Sequence, residues 1–279
     1  GSQLLNAGHC GTSLALADAD GDGDLDLYIA NYRTSTLMDA PGTRFSVRMV
    51  NSQPVVTMID GRPLTDPEWT NRFRFKIAVG QGGRTSFAHE ELGEADLFCL
   101  NDGKGRFEPV PWTGGAFWDE DGQPLKEPPF DWGLSVMFRD FTGDGTPDIY
   151  VCNDFGTPDR FWLNDGRGRF RAAPRLALRQ SSLASMAIDV ADLNRDGYDD
   201  FLVVEMLSRD HRQLVTQRNV VSGEMTPAAV ITGRPQYARN TLFLNRGDGT
   251  YAEVAQYAGL EASEWSWAPL FLDVDLDGY

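Results

Sequence analysis

The chain has 279 residues, 41% of them hydrophobic and 11% aromatic, which is ample for a large core in one or two domains. Its formal charge of −16, from 41 acidic against 25 basic residues, lacks the basic face that a nucleic-acid phosphate backbone demands. No run of about 18 apolar residues is present, so the sequence predicts no membrane-spanning helix.

The acidity is concentrated in a few nine-residue windows, and the elements around them recur. The run GTSLALA (11–17) is apolar, partly alternating and of strand length, and LYIAN (27–31) reads as a second strand. Between them lies the loop Asp18-Ala-Asp20-Gly-Asp22-Gly-Asp24-Leu-Asp26. An insertion near 33–95 holds a hairpin, FSVRMV (45–50) and VVTMID (55–60), around Asn51-Ser-Gln-Pro54. LFCLNDGKGRF (97–107) then reads as strand, Asn-x-Gly-x-Gly turn, strand, with glycines where a tight hairpin needs positive φ.

The same order returns twice. GLSVMFR (133–139) enters Asp140-Phe-Thr142-Gly-Asp144-Gly-Thr146-Pro-Asp148, then IYVCN (149–153), then the hairpin RFWLNDGRGRF (160–170). SMAIDVA (185–191) enters Asp192-Leu-Asn194-Arg-Asp196-Gly-Tyr198-Asp-Asp200, then FLVVE (201–205). A second insertion near 206–238 carries a short helix over 208–219 with Ser208 as its N-cap, and TLFLNRGDGTY (241–251) follows. A fourth copy begins at SWAPLFL (266–272) and reaches Asp273-Val-Asp275-Leu-Asp277-Gly-Tyr279, without its ninth position.

Each complete repeat thus contains four short strands, and repeated four-stranded antiparallel units predict the blades of an all-β propeller. First aspartates lie 122, 52 and 81 residues apart, so the compact unit is about 50 residues and the excess is insertion. Three full blades and fragments cannot close a ring. The expectation is one partial propeller domain over residues 1–279, a portion of a longer protein whose further blades, or another copy, complete it.

The loops have the chemistry of calcium sites. Ca²⁺ takes six to eight oxygens at roughly 2.3–2.6 Å, so donors at alternate positions must converge on one point. Asp18, Asp20 and Asp22, Asp140, Thr142 and Asp144, and Asp192, Asn194 and Asp196 offer carboxylate, hydroxyl or amide oxygens at positions 1, 3 and 5. Position 7 (Asp24, Thr146, Tyr198) would present its carbonyl, and Asp26, Asp148 and Asp200 at position 9 would close the sphere. Asp273, Asp275 and Asp277 supply a cut fourth set, giving three to four ions in all. With no His or Cys, the set excludes a zinc-type site. An EF-hand is excluded as well, because strands flank the loops and position 12 is Ile29, Val151 or Val203 in place of Glu. An Asp/Gly turn alone explains one such loop. Three complete copies in one register favour the cation, in a structural role that substitutes for core at blade turns.

These loops, with stretches such as DGDGDLDLYIANY (20–32), DGTPDIYVCNDFG (144–156) and RNTLFLNRGDGTYAEVAQYAGL (239–260), resemble the FG-GAP/VCBS repeats of integrin alpha-subunit propellers. They are more similar still to proteins of the cartilage acidic protein 1 family, in which such repeats precede an ASPIC/UnbV domain. The resemblance spans nearly the whole chain outside 33–95. It implies a seven- or eight-bladed parent propeller, secreted, periplasmic or at the cell surface, with Ca²⁺ in the inter-strand loops. Thr142 and Asn194 depart from Asp at position 3, which implies weaker binding at those two loops.

No catalytic arrangement stands out. His9, His89 and His211 are far apart, and no HExxH, GxSxG or P-loop occurs. Cys10, Cys99 and Cys152 are too few for a disulfide framework and read as free thiols, two of them inside apolar strands. Arg246-Gly-Asp248 spells an integrin-binding tripeptide but sits where turn chemistry explains it. Tryptophans read as core, with Trp112 and Trp118 in the Pro/Gly-rich stretch 109–133 as the alternative, a sugar platform. Arg209, Arg212, Arg218, Arg234 and Arg239 read as surface arginines paired with carboxylates, against the alternative of an anion-binding rim. The expected function is a calcium-stabilised extracellular scaffold for protein or glycan ligands. The competing expectation is a polysaccharide lyase or hydrolase using a propeller funnel as its cleft.

Overall fold

The computed structural model describes residues 5–37, 39–40, 42–50, 53–67, 69–79, 85–154, 157–220 and 234–276. The protein is all-β, and each complete sequence repeat forms one sheet.

The first sheet has the order β1 (Gly11–Ala17), β2 (Asp26–Asn31), β9 (Leu97–Asn101), β10 (Phe107–Pro109). The second runs β13 (Gly133–Arg139), β14 (Asp148–Asn153), β15 (Arg160–Asn164), β16 (Phe170–Ala172), with the two-residue β11 (Phe117–Trp118) added parallel on its edge. The third is β18 (Ala187–Ala191), β19 (Asp200–Val204), β21 (Thr241–Asn245), β22 (Tyr251–Glu253). Pairing of Ala17 with Asp26 and of Asn101 with Phe107 places the Asp loop and the Gly turn at the same end of the sheet. The second and third sheets keep that register, with Arg139 opposite Asp148 and Ala191 opposite Asp200.

The sheets stack through aromatic side chains. Tyr28 and Phe98 of the first sheet cluster with Ile149, Trp162 and Phe170 of the second, with Trp112 and Phe117 between them. A second cluster joins Tyr150 and Phe161 of the second sheet to Phe201, Phe243 and Tyr251 of the third. Trp162 and the aromatic rings of Tyr28, Tyr150 and Phe201 are fully buried, each contributing about 1.5–3 kcal/mol relative to exposure.

The first insertion folds on itself. β3 (Phe45–Val50) pairs with β4 (Gln53–Ile59) as the expected hairpin, continued by β5 (Arg62–Pro63), while Asn51 and Ser52 lie outside the described residues. A second hairpin, β6 (Phe73–Val79) with β7 (Thr85–Glu91), was not legible in the sequence. Two-residue strands complete the set. β8 (Glu94–Ala95) pairs with β12 (Phe130–Asp131), and β17 (Ser181–Ser182) with β20 (Gln236–Tyr237).

Three expectations are corrected. The helix α1 is His211–Val220, and its cap is Asp210, whose Oδ1 accepts the N–H groups of Arg212 (3.0 Å) and Gln213 (3.1 Å). Ser208 instead accepts the Asp210 N–H and donates to Glu264 (2.8 Å). Residues 266–272 form no strand and pair with none of the described sheets. Trp265 and Trp267 are accordingly 61% and 60% exposed and not core. A second, short helix, α2 (Ala255–Ala258), ends on Gly259 in the left-handed region.

Candidate metal centre and its supporting network

The Asp loops share one hydrogen-bonded frame. Asp18 accepts the N–H of Gly21 (2.8 Å) and of Gly23 (3.0 Å), and Asp140 does the same with Gly143 (2.7 Å) and Gly145 (2.8 Å). Asp192 accepts from Asp196 (3.1 Å) and Gly197 (2.9 Å). At position 5, Asp22, Asp144 and Asp196 each accept the N–H of position 7 at 2.9 Å. The backbone is curled so that positions 1, 3 and 5 face inward, and the glycine at position 6 adopts φ of 95°, 88° and 87° in the three loops.

In the first loop, Asp18, Asp20 and Asp22 each bring a carboxylate oxygen to within 4.8 Å of the others. Burial, with the charges of Asp22 and Asp18, raises the pKa of Asp20. The second and third loops bring two carboxylates each to positions 1 and 5, with the Thr142 hydroxyl and the Asn194 amide at position 3. Of the fourth loop, Asp273 is half-buried and Asp275 exposed, while Asp277 and Tyr279 lie outside the described residues.

Position 9 has a framework role that spacing did not reveal. Asp26 is 1% exposed, and Asp148 and Asp200 are fully buried. One oxygen of each accepts the N–H of position 2: Ala19 at 2.9 Å, Phe141 at 3.1 Å, Leu193 at 3.1 Å. The other accepts the N–H of the asparagine that opens the Gly turn: Asn101 at 2.9 Å, Asn164 at 2.9 Å, Asn245 at 2.8 Å. Burial, then the charges of Asp144 and Asp140, raise Asp148 to about 7 against these N–H bonds, and Asp26 and Asp200 shift in the same direction.

Those asparagines fasten sheet to sheet. Asn164 donates from Nδ2 to Pro147 O of its own loop (3.0 Å) and to Ala19 O of the preceding loop (2.9 Å). Asn245 repeats this with Asp199 O and Phe141 O, both at 3.3 Å. The first turn glycine packs under the position-7 side chain. A Cβ on Gly247 would lie 2.7 Å from the Tyr198 ring, and one on Gly166 would lie 2.8 Å from Thr146. The signal in the sequence was the Asn in the same column of all three hairpins.

The opposite end of each sheet holds one buried acid or its amide. Asp96 accepts Tyr28 Oη–H (2.8 Å) and the Asn31 N–H (2.7 Å). Asp159 accepts Tyr150 Oη–H (2.8 Å), the Asn153 N–H (2.9 Å) and Ser185 Oγ–H (2.8 Å). In the third sheet Asn240 takes the place, accepting the Glu205 N–H (2.7 Å) and donating to Leu260 O and Ser263 Oγ. Burial raises Asp96 to about 7 and Asp159 to about 6.

The other sequence candidates resolve as follows. Trp112 is core, 7% exposed, with Nε1 donating to Asp96 O (2.8 Å), so it forms no platform, and Trp118 donates to Gly115 O (2.8 Å). Arg234 pairs with Glu120 (3.1 Å) and Arg239 with Glu253 (2.9 Å), while Arg209 caps the carbonyls of Ala262 and Gly259. Arg212 is exposed, and the Arg218 side chain lies outside the described residues. Cys10, Cys99 and Cys152 are free, the last two buried. Asp248 accepts the N–H and hydroxyl of Thr250 (2.9 and 2.6 Å), as a turn residue does. His9 lies 2.8 Å from Glu94.

An FG-GAP-like repeat family matches residues 140–203, which hold the second Asp loop, the second hairpin and the third Asp loop. No curated protein matches. Among solved structures, the chain is similar to an Agrocybe aegerita lectin described by its specific recognition of non-reducing terminal N-acetylglucosamine. The identity is 17% and the TM-score 0.31, over 85% of this chain and 49% of that one. The chain therefore spans about half the length of that lectin. No helix among the described residues is long and apolar enough to cross a membrane.

Proposed function

We propose that the chain is a calcium-binding, propeller-type repeat scaffold that displays a surface for glycan or protein ligands outside the cell. The observation that supports calcium is the convergence of Asp18, Asp20 and Asp22 in a loop frame that recurs twice more. The donor set fits a hard cation, since every side chain at positions 1, 3 and 5 offers oxygen. Asp18, Asp20, Asp22 and Asp26 would hold the first ion. Asp140, Thr142, Asp144 and Asp148 would hold the second, and Asp192, Asn194, Asp196 and Asp200 the third. Calcium would neutralise the repulsion among these carboxylates, and millimolar extracellular calcium keeps such sites filled. The matched FG-GAP-like repeat and the all-β sheets support the scaffold reading.

Titration calorimetry of chelator-stripped protein with Ca²⁺, paired with thermal melts, tests it. Each site filled to a hundred times its Kd adds about 2.7 kcal/mol, so three sites raise the melting temperature by many degrees. No binding heat together with an unchanged melt in EGTA would sink the calcium reading. A glycan and protein array probed with and without Ca²⁺ tests the display of ligands.

A further inference from the structure

An open cavity of about 270 Å³ lies against β22, the edge strand of the third sheet. Its walls come from Tyr251 and Glu253 of β22, Arg246 of the Gly turn before it, Arg179 and Gln180 ahead of β17, and Arg239 beyond β20. Three guanidinium groups thus line it with one carboxylate, a local charge of +2 on a chain whose net charge is −16.

The carboxylate is already engaged. One oxygen of Glu253 accepts from Arg239 Nη2 (2.9 Å) and Gln180 Nε2, and the other accepts the Ala255 N–H (2.8 Å). Arg239 is held by this pair and by the Tyr237 ring, 4.9 Å from its guanidinium carbon. Arg179 and Arg246 differ. Both are exposed, and among the described residues neither side chain has an ion pair or a hydrogen bond.

The Gly turns explain why Arg246 is available. In the first two turns its column holds Asp102 and Asp165, each accepting the N–H groups two and four residues on. In the third turn Asp248 takes over that work, bonded to the N–H and hydroxyl of Thr250, and it does not line the cavity. This exchange of charge within the turn puts a cation where the sister sheets have an anion.

A guanidinium presents paired N–H donors to two oxygens at once, so the two available arginines match an oxyanion group. The aromatic floor is sealed, with Phe243 1% and Tyr251 5% exposed, and an apolar side chain would find little to cover there. The accessible lining is guanidinium, amide and carboxylate, which hydroxyls can meet as donors and as acceptors. An anionic ring with hydroxyls uses both features, and an acidic peptide uses only the first. A long polyanion is disfavoured, because the acidity of the rest of the chain repels it.

We propose that this cavity binds the carboxylate or sulfate group of one acidic sugar, held between Arg179 and Arg246. The proposal rests on the glycan-binding reading above and narrows it to a sugar that bears a single oxyanion.

Calorimetric titrations of calcium-loaded protein at low salt test it, with methyl glucuronide, glucose 6-sulfate, methyl glucoside, sodium sulfate and N-acetylglutamate amide as probes. At least one of the two acidic sugars should bind at least about tenfold more tightly than each of the other three probes. Arg246→Asp, which restores the residue of the sister turns, should weaken that sugar more than about tenfold, and Arg179→Ala about fivefold. Neither change should move the melting temperature, since both side chains are exposed and unbonded. Arg167→Ala, in the second Gly turn, should bind as the wild type does. Sodium sulfate binding as tightly as the sugars would mark an unselective oxyanion patch, and tighter binding of the glutamate derivative would mark a peptide site. Either result overturns the proposal, as do Arg179 and Arg246 variants that bind normally. Neutral glycans that bind on the array while both acidic sugars fail overturn the cavity and spare the glycan reading. A chain that binds no glycan at all overturns both.

Discussion

Each sheet carries acid at both ends, and the two ends solve the problem of negative charge differently. At the loop end, several carboxylates crowd within reach of one another, partly exposed, with Asp18, Asp20 and Asp22 as the tightest group. At the far end a single carboxylate, Asp96 or Asp159, is buried among hydrogen-bond donors. The first arrangement calls for a cation and the second for a proton. In the third sheet Asn240 takes the position of Asp96 and Asp159, and the buried acid at that end is Glu205, whose N–H Asn240 accepts, while Asp192 and Asp196 keep the loop end acidic.

Position 9 carries the loop frame, and its removal tests that role against the proposed cation site. Asp148→Ala strips the partner from two backbone N–H groups in a fully buried place, at a cost of about 3–5 kcal/mol whether or not calcium is present. Asp144→Ala, at an exposed position of the same loop, should change the stability of chelator-stripped protein by only about 0.5 kcal/mol beyond its local turn bonds. Its loss should appear when calcium is added, as one missing binding step. Chemical denaturation of both variants, in EGTA and in Ca²⁺, reads the difference. Equal losses in EGTA would mean that position 9 has no framework role.

The far end is broken by pH. In the unfolded chain Asp96 ionises near 3.8, and in the fold near 7. Between those values the unfolded chain has released a proton that the folded chain keeps. The stability Asp96 contributes is therefore fully present below pH 3.8 and is lost as pH rises through 7. Asp159, raised to about 6, and Glu205, raised to about 7, slope the same way. Tyr28 faces Asp96, and the Asp131–Arg160 pair lies close by. Asp96→Asn keeps an acceptor for the Asn31 N–H and removes the titration. Denaturation between pH 4 and 8 should show the wild type losing on the order of 2–4 kcal/mol more than Asp96→Asn. Parallel profiles would show that Asp96 is ionised throughout.

How much of this could be read in the sequence follows from the length of the signal. The Asp loops and Gly turns are contiguous patterns, so their spacing exposed the repeat and the order of strands inside each sheet. The far-end acids leave one residue per repeat, Asp96, Asp159 and Asn240, and their meaning comes from Tyr28 and Tyr150 on another strand. Trp112 read as core by default with a sugar platform as the alternative because 109–133 is rich in Pro and Gly, and a helical turn over 112–116 folds it into the core. The segment 266–272 has the alternation of a strand, yet it joins no sheet among the described residues. Local chemistry was legible and pairing across distance was not.

The smallest effect tests whether the loop frame exists before the cation arrives. Position 4 is glycine in the first two loops, with φ of 78° at Gly21 and 74° at Gly143, but the third loop puts Arg195 there at φ 61°. A side chain in that region costs roughly 1–2 kcal/mol, and glycine returns part of this through the extra freedom it gives the unfolded chain. Arg195→Gly should therefore stabilise the protein by about 0.5–1 kcal/mol. If the frame is preformed, as the bonds from Asp196 and Gly197 to Asp192 imply, the gain is the same in EGTA as in calcium. A gain seen only in calcium would mean that the cation itself bends the third loop, and the separation between a hydrogen-bonded frame and a cation held inside it would fail there.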